Sequence, residues 1–260
     1  MSQEVKMRVE REKSAHTDDD VLGNSYKLKS FFVHTTSSKT MHRLENDFSN
    51  YLNDVQGAQL LDIGCGHGEL SLSLLGKNAG YVAGIDISQN YVDDASKLAA
   101  VAGYAKSRFD FRVMDAHALE FPDNFFDIVV GNGILHHLDL PICLNEINRV
   151  LKPGGFALFK EPLAANPFLK VFRFFTPQAR TIDEKPLDST DLLNIAKTWN
   201  VQSRYYGMLS ASVAVITSVL LRPFPNNPFL VFSDCVELRL NKYKFFHPYN
   251  QYVMLVLIKR

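Results

Sequence analysis

Four acids, a glycine turn and a pair of histidines carry the chemical signal in this chain. Leu60-Leu61-Asp62-Ile63-Gly64-Cys65-Gly66-His67-Gly68-Glu69-Leu70 is an apolar run that ends in glycines and passes at once into a helical pattern. Glycines at such a turn permit positive φ and let the backbone approach a ligand closely. Open α/β sheets bind ligands beyond the carboxyl ends of their strands, where this turn would lie. Glu69 stands where a dinucleotide fingerprint would have its third glycine. An acid at the helix start opposes a pyrophosphate, which needs that end for itself. Asp62, at the strand end, instead suits the ammonium of an amino-acid moiety. Asp86 closes a second apolar run, in Gly84-Ile85-Asp86-Ile87-Ser88, where a carboxylate can accept from ribose hydroxyls. Asp115, followed by Ala116, could accept from an adenine amino group or serve as a cap or turn residue.

The histidines lie in Gly133-Ile134-Leu135-His136-His137-Leu138-Asp139, after a fourth apolar run. Imidazoles titrate near neutrality and can act as bases. Glu161, in Lys160-Glu161-Pro162, could orient His136 or an acceptor hydroxyl, or else form a salt bridge with Arg173 or Arg180. Adjacent residues on a loop seldom aim both side chains at one ion, and no further ligand cluster accompanies His136, His137 and Asp139, so no metal is expected. Cys65, Cys143 and Cys235 are far apart, odd in number and in no CxxC spacing. That pattern predicts neither a disulfide framework nor a zinc site and fits a reducing, cytoplasmic setting.

Short apolar runs must position these groups: AQLLDI (58–63), YVAGID (81–86), FDFRVMD (109–115), FDIVVG (126–131) and FALFKE (156–161). Helical patterns separate them, which predicts a doubly wound α/β domain with a parallel sheet covered on both faces. Residues 1–25 are polar and without apolar period, so a flexible tail is expected there, followed by a single domain over 26–260. An amphipathic helix is predicted between Ser30 and Leu52. Residues 162–200 and 208–232 read as insertions forming a lid or substrate pocket. The first interleaves Phe168, Phe172, Phe174 and Phe175 with Lys170 and Arg173, followed by a helix over Asp191–Trp199 capped by Ser189 or Asp188. Val201–Met208 and Tyr252–Ile258 read as strands. Met208–Leu221 is apolar but too short to span a bilayer and reads as a buried helix. The stretch 208–232 reads alternatively as pocket lining, a homodimer interface or a peripheral membrane contact. Lys+Arg and Asp+Glu are equal at 28 each, a balance that argues against a nucleic-acid face.

Five ordered blocks resemble the class I S-adenosyl-L-methionine (SAM)-dependent methyltransferases, particularly the small-molecule group with a methyltransferase domain 11-like core. They are LLDIGCGHGEL (60–70), GIDIS (84–88), MDA (114–116), FDIVVGNGILHHL (126–138) and RVLKPGGFALFKEP (149–162), covering roughly residues 55 to 162. The resemblance implies a Rossmann-like seven-stranded sheet of order 3-2-1-4-5-7-6 with the last strand antiparallel. It implies that Asp62, Gly64, Cys65, Gly66 and Gly68 hold the methionine part of SAM, and Asp86 the ribose. Ile87, Asp115 and Ala116 would contact adenine, and Asn132 would sit beside methionine and ribose. His136 takes a position that faces substrate in such enzymes, which favours it over His137 as base or acceptor-orienting group, with Glu161 as its partner. The implied reaction is in-line O- or C-methylation of a small, largely hydrophobic acceptor, a secondary metabolite or lipid-like compound, releasing S-adenosyl-L-homocysteine. Gly131-Asn132-Gly133-Ile134 stands where amino-group methylases of bases or glutamine have an NPPY-like block, which argues against that chemistry. The alternative is a cyclase or isomerase that keeps SAM and does acid–base chemistry alone.

Overall fold

The computed structural model describes residues 3–17, 30–175 and 184–259. Its seven strands are β1 (Gln59–Ile63), β2 (Tyr81–Asp86), β3 (Phe109–Val113), β4 (Phe126–Asn132), β5 (Leu151–Pro162), β6 (Asn200–Tyr206) and β7 (Tyr252–Ile258). They form one sheet in the order 3-2-1-4-5-7-6. β1 to β5 pair in parallel, whereas β7 is antiparallel to both β5 and β6. The expected order and the antiparallel last strand are both present. β5 starts earlier than the apolar run alone indicates, because Leu151 already pairs with Phe126 before the register shifts.

Near-continuous apolar strands are required because both faces are covered, and successive side chains point to opposite sides. Leu60 joins one layer and Leu61 the other. The first layer contains Leu44 and Phe48 of helix α3 (Lys39–Tyr51) and Leu74 and Leu75 of α4 (Glu69–Gly76), after α1 (Gln3–Thr17) and α2 (His34–Ser37). α5 (Gln89–Val101) follows β2, and α6 (Leu140–Val150) supplies Ile147 and Val150 to the opposite layer. Each fully buried leucine of this kind contributes roughly 2 kcal/mol.

The single helix expected between Ser30 and Leu52 is divided. Ser38 is extended, and its hydroxyl accepts the Met41 N–H at 3.2 Å, so it ends α2 and caps α3. Residues 3–17, expected to fray, form α1. This helix has no apolar stripe, and polar contacts hold it: Arg8 Nη2 donates to the His136 carbonyl at 3.2 Å, and Glu12 is buried beside His137. A helix polar on all sides owes its stability to such partners rather than to a hydrophobic face. Residues 18–25 lie outside the described residues.

The first insertion contains α7 (Pro167–Phe175) and α8 (Ser189–Thr198). Asp188 caps α8, with Asp191 returning the bond to the Asp188 N–H. Arg180 lies outside the described residues. The second insertion contains α9 (Ser210–Leu220) and leads into α10 (Pro228–Leu240), which pack against each other and against the N-terminal helices. Buried Glu237 binds them by accepting from the backbone N–H groups of Gly207, Leu209 and Ser210. The expectation of a buried α9 holds for one face only, where Ala211 and Ala214 are enclosed while Val219 and Leu220 are exposed. No helix among the described residues is long and apolar enough to cross a membrane.

Candidate active site

The glycine turn after β1 is fixed by its neighbour strand. The N–H groups of Gly64 and Cys65 both donate to the Ile85 carbonyl, at 2.8 and 3.0 Å. Gly64 has φ +69°, and a Cβ there would come within 2.8 Å of the Ile134 side chain. Gly66 has φ +52°, and its Cβ position meets nothing within 4 Å, so the turn presents bare backbone to open space. That space is a cleft of about 450 Å³ at the carboxyl ends of β1, β2 and β4, within the range of about 300–1,000 Å³ usual for small-molecule sites.

Gly64, Gly66, Asp86, Ile87, Asp115, Ala116 and Asn132 line this cleft. Asp86 accepts from Gly66 N–H and Ser88 N–H, both at 3.0 Å, which aims its carboxylate at the glycine turn. Asp62, Cys65 and Gly68 are not in the wall. Asp62 is buried beneath it, accepts the Ser71 hydroxyl at 2.6 Å, and has its carboxyl pushed up to about 7 by burial. The Cys65 side chain packs with Val92, Ala95, Ala99 and Phe111, away from the cleft, and burial raises its thiol far above the ordinary range. Gly68 begins α4, where a Cβ would come within 2.8 Å of Ala95; its smallness serves helix packing rather than ligand contact.

Asp115 is both a lining group and a turn residue. Its Oδ1 accepts the His117 N–H at 2.9 Å and faces His117 Nδ1 at 2.6 Å. Burial works against its ionisation, but these bonds outweigh it and hold the carboxyl below the ordinary range. Asp139 N–H donates to His117 Nε2 at 2.8 Å, so Nε2 is the acceptor and Nδ1 carries the proton. His117 therefore ties the turn after β3 to the cap of α6. The sequence reading missed it; the signal was a histidine two residues after Asp115, the spacing of a local side-chain-to-backbone turn.

Beyond β4, Leu135–His137 form a single 3₁₀ turn built on Glu161. Glu161 is fully buried; one oxygen accepts from Ile134 N–H and Leu135 N–H, both at 2.9 Å, and the other lies 2.8 Å from His136 Nδ1. The pairing of Glu161 with His136 is thus formed, although both are enclosed. His137 lines the cleft, whereas His136 stands behind it. The two rings lie 4.1 Å apart, and His137 Nδ1 is 3.1 Å from a Glu12 oxygen of α1. The expectation that adjacent histidines diverge is corrected: a ligating atom of each, with a carboxylate oxygen of Glu184, lies within 4.8 Å of the others. The tight 3₁₀ turn draws the two rings onto one side.

The donor set suits a cationic, amino-acid-bearing nucleoside. Acids at 62, 69, 86 and 115 surround a bare-backbone cradle, an arrangement that attracts a sulfonium and an ammonium and repels a pyrophosphate. Together with the strand order, it fits a SAM-dependent methyltransferase domain. Residues 61–159 match the family described as a methyltransferase domain. The cofactor of that family is SAM, and the residues present fit it.

Demethylmenaquinone methyltransferase of Symbiobacterium thermophilum is 36% identical over 121 residues, 45% of this chain and 47% of that protein. The 27-O-demethylrifamycin SV methyltransferase of Amycolatopsis mediterranei is 36% identical over 121 residues, 46% of this chain and 44% of its own length. The chain therefore matches less than half the length of these relatives. Among solved structures, the [4+2]-cyclase SpnF superposes with a TM-score of 0.56 at 24% identity, covering 84% of this chain and 80% of that one. This last likeness shows the shared fold.

Proposed function

We propose that the chain transfers the methyl group of SAM to an oxygen or carbon of a small, largely hydrophobic acceptor. The observation that carries this reading is the acid-lined cleft around the glycine turn. Asp86 would hold the ribose hydroxyls, Ile87 and Ala116 would pack on adenine, and Asp115 would accept from its amino group. Asn132 would sit beside the ribose and methionine, and Gly64 and Gly66 would carry the methionine along their backbone. Asp62 would favour the ammonium through the turn above it. When bound, SAM supplies an electrophilic methyl group, and the protein's task is to align an acceptor with it and exclude water.

His137 is the imidazole placed to meet an acceptor in the cleft, while Glu161 and His136 hold the turn that presents it. The two relatives' names, a demethylmenaquinone and a 27-O-demethylrifamycin SV methyltransferase, support a small apolar acceptor. The three free thiols support a reducing, cytoplasmic setting.

Calorimetric titration with SAM, S-adenosyl-L-homocysteine and NAD tests the reading. SAM and its demethylated product should bind and NAD should not; binding of NAD alone overturns it. Asp86→Ala should weaken SAM binding about tenfold or more, the worth of hydrogen bonds to a charged group. A second reading, acid–base chemistry without methyl transfer, is favoured by the buried Glu161–His136 pair and by the cyclase that shares the fold. Release of S-adenosyl-L-homocysteine during turnover separates the two.

A further inference from the structure

Three groups meet behind the cleft wall, where His137 reaches the cleft itself. His136 and His137 come from the 3₁₀ turn after β4, and Glu184 from the stretch before α8 in the first insertion. One ligating atom of each lies within 4.8 Å of the other two. Two imidazoles and one carboxylate on one side of an ion form the set that divalent transition metals take, with further positions left open.

A second observation is independent of that convergence. His136 Nδ1 is hydrogen-bonded to a Glu161 oxygen at 2.8 Å, whereas His137 Nδ1 only approaches a Glu12 oxygen at 3.1 Å, without hydrogen-bond geometry. The Glu161 carboxylate keeps the His136 proton on Nδ1 and leaves its Nε2 lone pair for a ligand, the usual outer support of a metal-binding histidine. Glu161 is fully buried and held by the Ile134 and Leu135 N–H groups, so this support is fixed by its surroundings. Backbone bonds brace the site as well, since the His136 carbonyl accepts from Arg8 Nη2 at 3.2 Å and from Lys185 N–H at 3.1 Å.

We infer that His136, His137 and Glu184 form a binding site for one divalent transition-metal ion of the zinc or cobalt type, reached from the cleft at His137. The inference deepens the proposed function by naming the acceptor class: a molecule with a hydroxyl, or two adjacent oxygens, able to ligate the ion. The ion lowers the hydroxyl pKa. The O–H bond breaks with its proton passing to solvent, and the oxygen pair forms the new O–CH₃ bond as the methyl–sulfur bond of SAM breaks. The sulfur keeps that electron pair. Magnesium is disfavoured, because it prefers an all-oxygen shell.

The test is titration of the tag-free full chain, stripped with chelator, with Co²⁺ followed by its visible d–d absorption, and with Zn²⁺ by calorimetry. One equivalent of each should bind, with Mg²⁺ at least tenfold weaker. Glu184→Gln and His137→Ala should each weaken Co²⁺ binding by about tenfold or more, the scale on which losses around a metal are felt. Both residues are only partly enclosed, so these variants fold even where His136→Ala fails. No Co²⁺ absorption, or affinity unchanged in Glu184→Gln, overturns the site. SAM titrated into the same samples keeps the two claims apart. SAM binding without Co²⁺ binding overturns the metal site alone, and Co²⁺ binding without SAM binding overturns the cofactor reading alone.

Discussion

Asp62 is fully enclosed, and its carboxyl is pushed up to about 7 chiefly by burial, with Asp86 and Glu69 adding like charge against the pull of the Ser71 hydroxyl. In the unfolded chain it titrates near its ordinary value of 3.8. Across that window the unfolded chain gives up a proton that the folded one keeps, so stability of the unliganded protein falls as pH rises from about 4 to about 7 and levels off above. The whole window corresponds to roughly 4 kcal/mol at most. Asp62→Asn removes this contribution. Urea unfolding at pH 5 and pH 8 should show wild type losing more stability between the two than the variant does. An equal loss in both would mean that Asp62 ionises in the folded protein as it does in water. The acids of the cleft were legible because strand ends place them, but which ones reach the wall was not. That outcome depends on the space under the turn, where Ser71 claims Asp62 and Ala95 excludes a side chain at Gly68. The roles of His136 and His137 were equally unreadable, because one residue's difference within a 3₁₀ turn decides which ring is enclosed.

Elements built from apolar runs were the legible ones. β2 and β7 have the bounds their sequences indicate, since every residue between is committed to a buried layer. α1 was not legible, for its reasons to be helical lie in Arg8 and Glu12 meeting a turn more than a hundred residues away. Val9 and Glu12 of this helix stand in the wall of the cleft. A chain beginning at residue 30 should therefore keep its sheet, its far-UV circular dichroism scaling with the retained helices. Calorimetry should show its SAM affinity lowered by about tenfold, the loss of one wall costing on the order of 1.4 kcal/mol. An unchanged affinity would show that α1 is a bystander to the cofactor side and serves the acceptor side alone.

At the scale of the molecule, charge and apolar surface act together. Formal net charge is zero and the isoelectric point is about 7.1, so long-range repulsion between copies vanishes near neutrality. The helices α9 and α10 meanwhile present Leu220, Phe229 and Phe232, exposed by 72%, 67% and 71%. Apolar side chains gathered on one face attract other apolar surface when nothing repels it. Sequence alone showed the apolar run but not which half of it faces outward, because α9 encloses small residues, Ala211 and Ala214, and leaves larger ones, Val219 and Leu220, outside. Light scattering across pH should show self-association greatest near pH 7 and falling toward pH 5 and pH 9 as the chain gains charge of either sign. The double variant Phe229→Glu/Phe232→Glu adds two negative charges to that face and removes its most exposed rings, while leaving Leu230 buried in the packing between helices. It should scatter like a monomer at pH 7, with its thermal unfolding unchanged. If wild type is monodisperse at pH 7, the face does not drive association. If the variant associates as strongly as wild type, the attraction arises elsewhere on the surface.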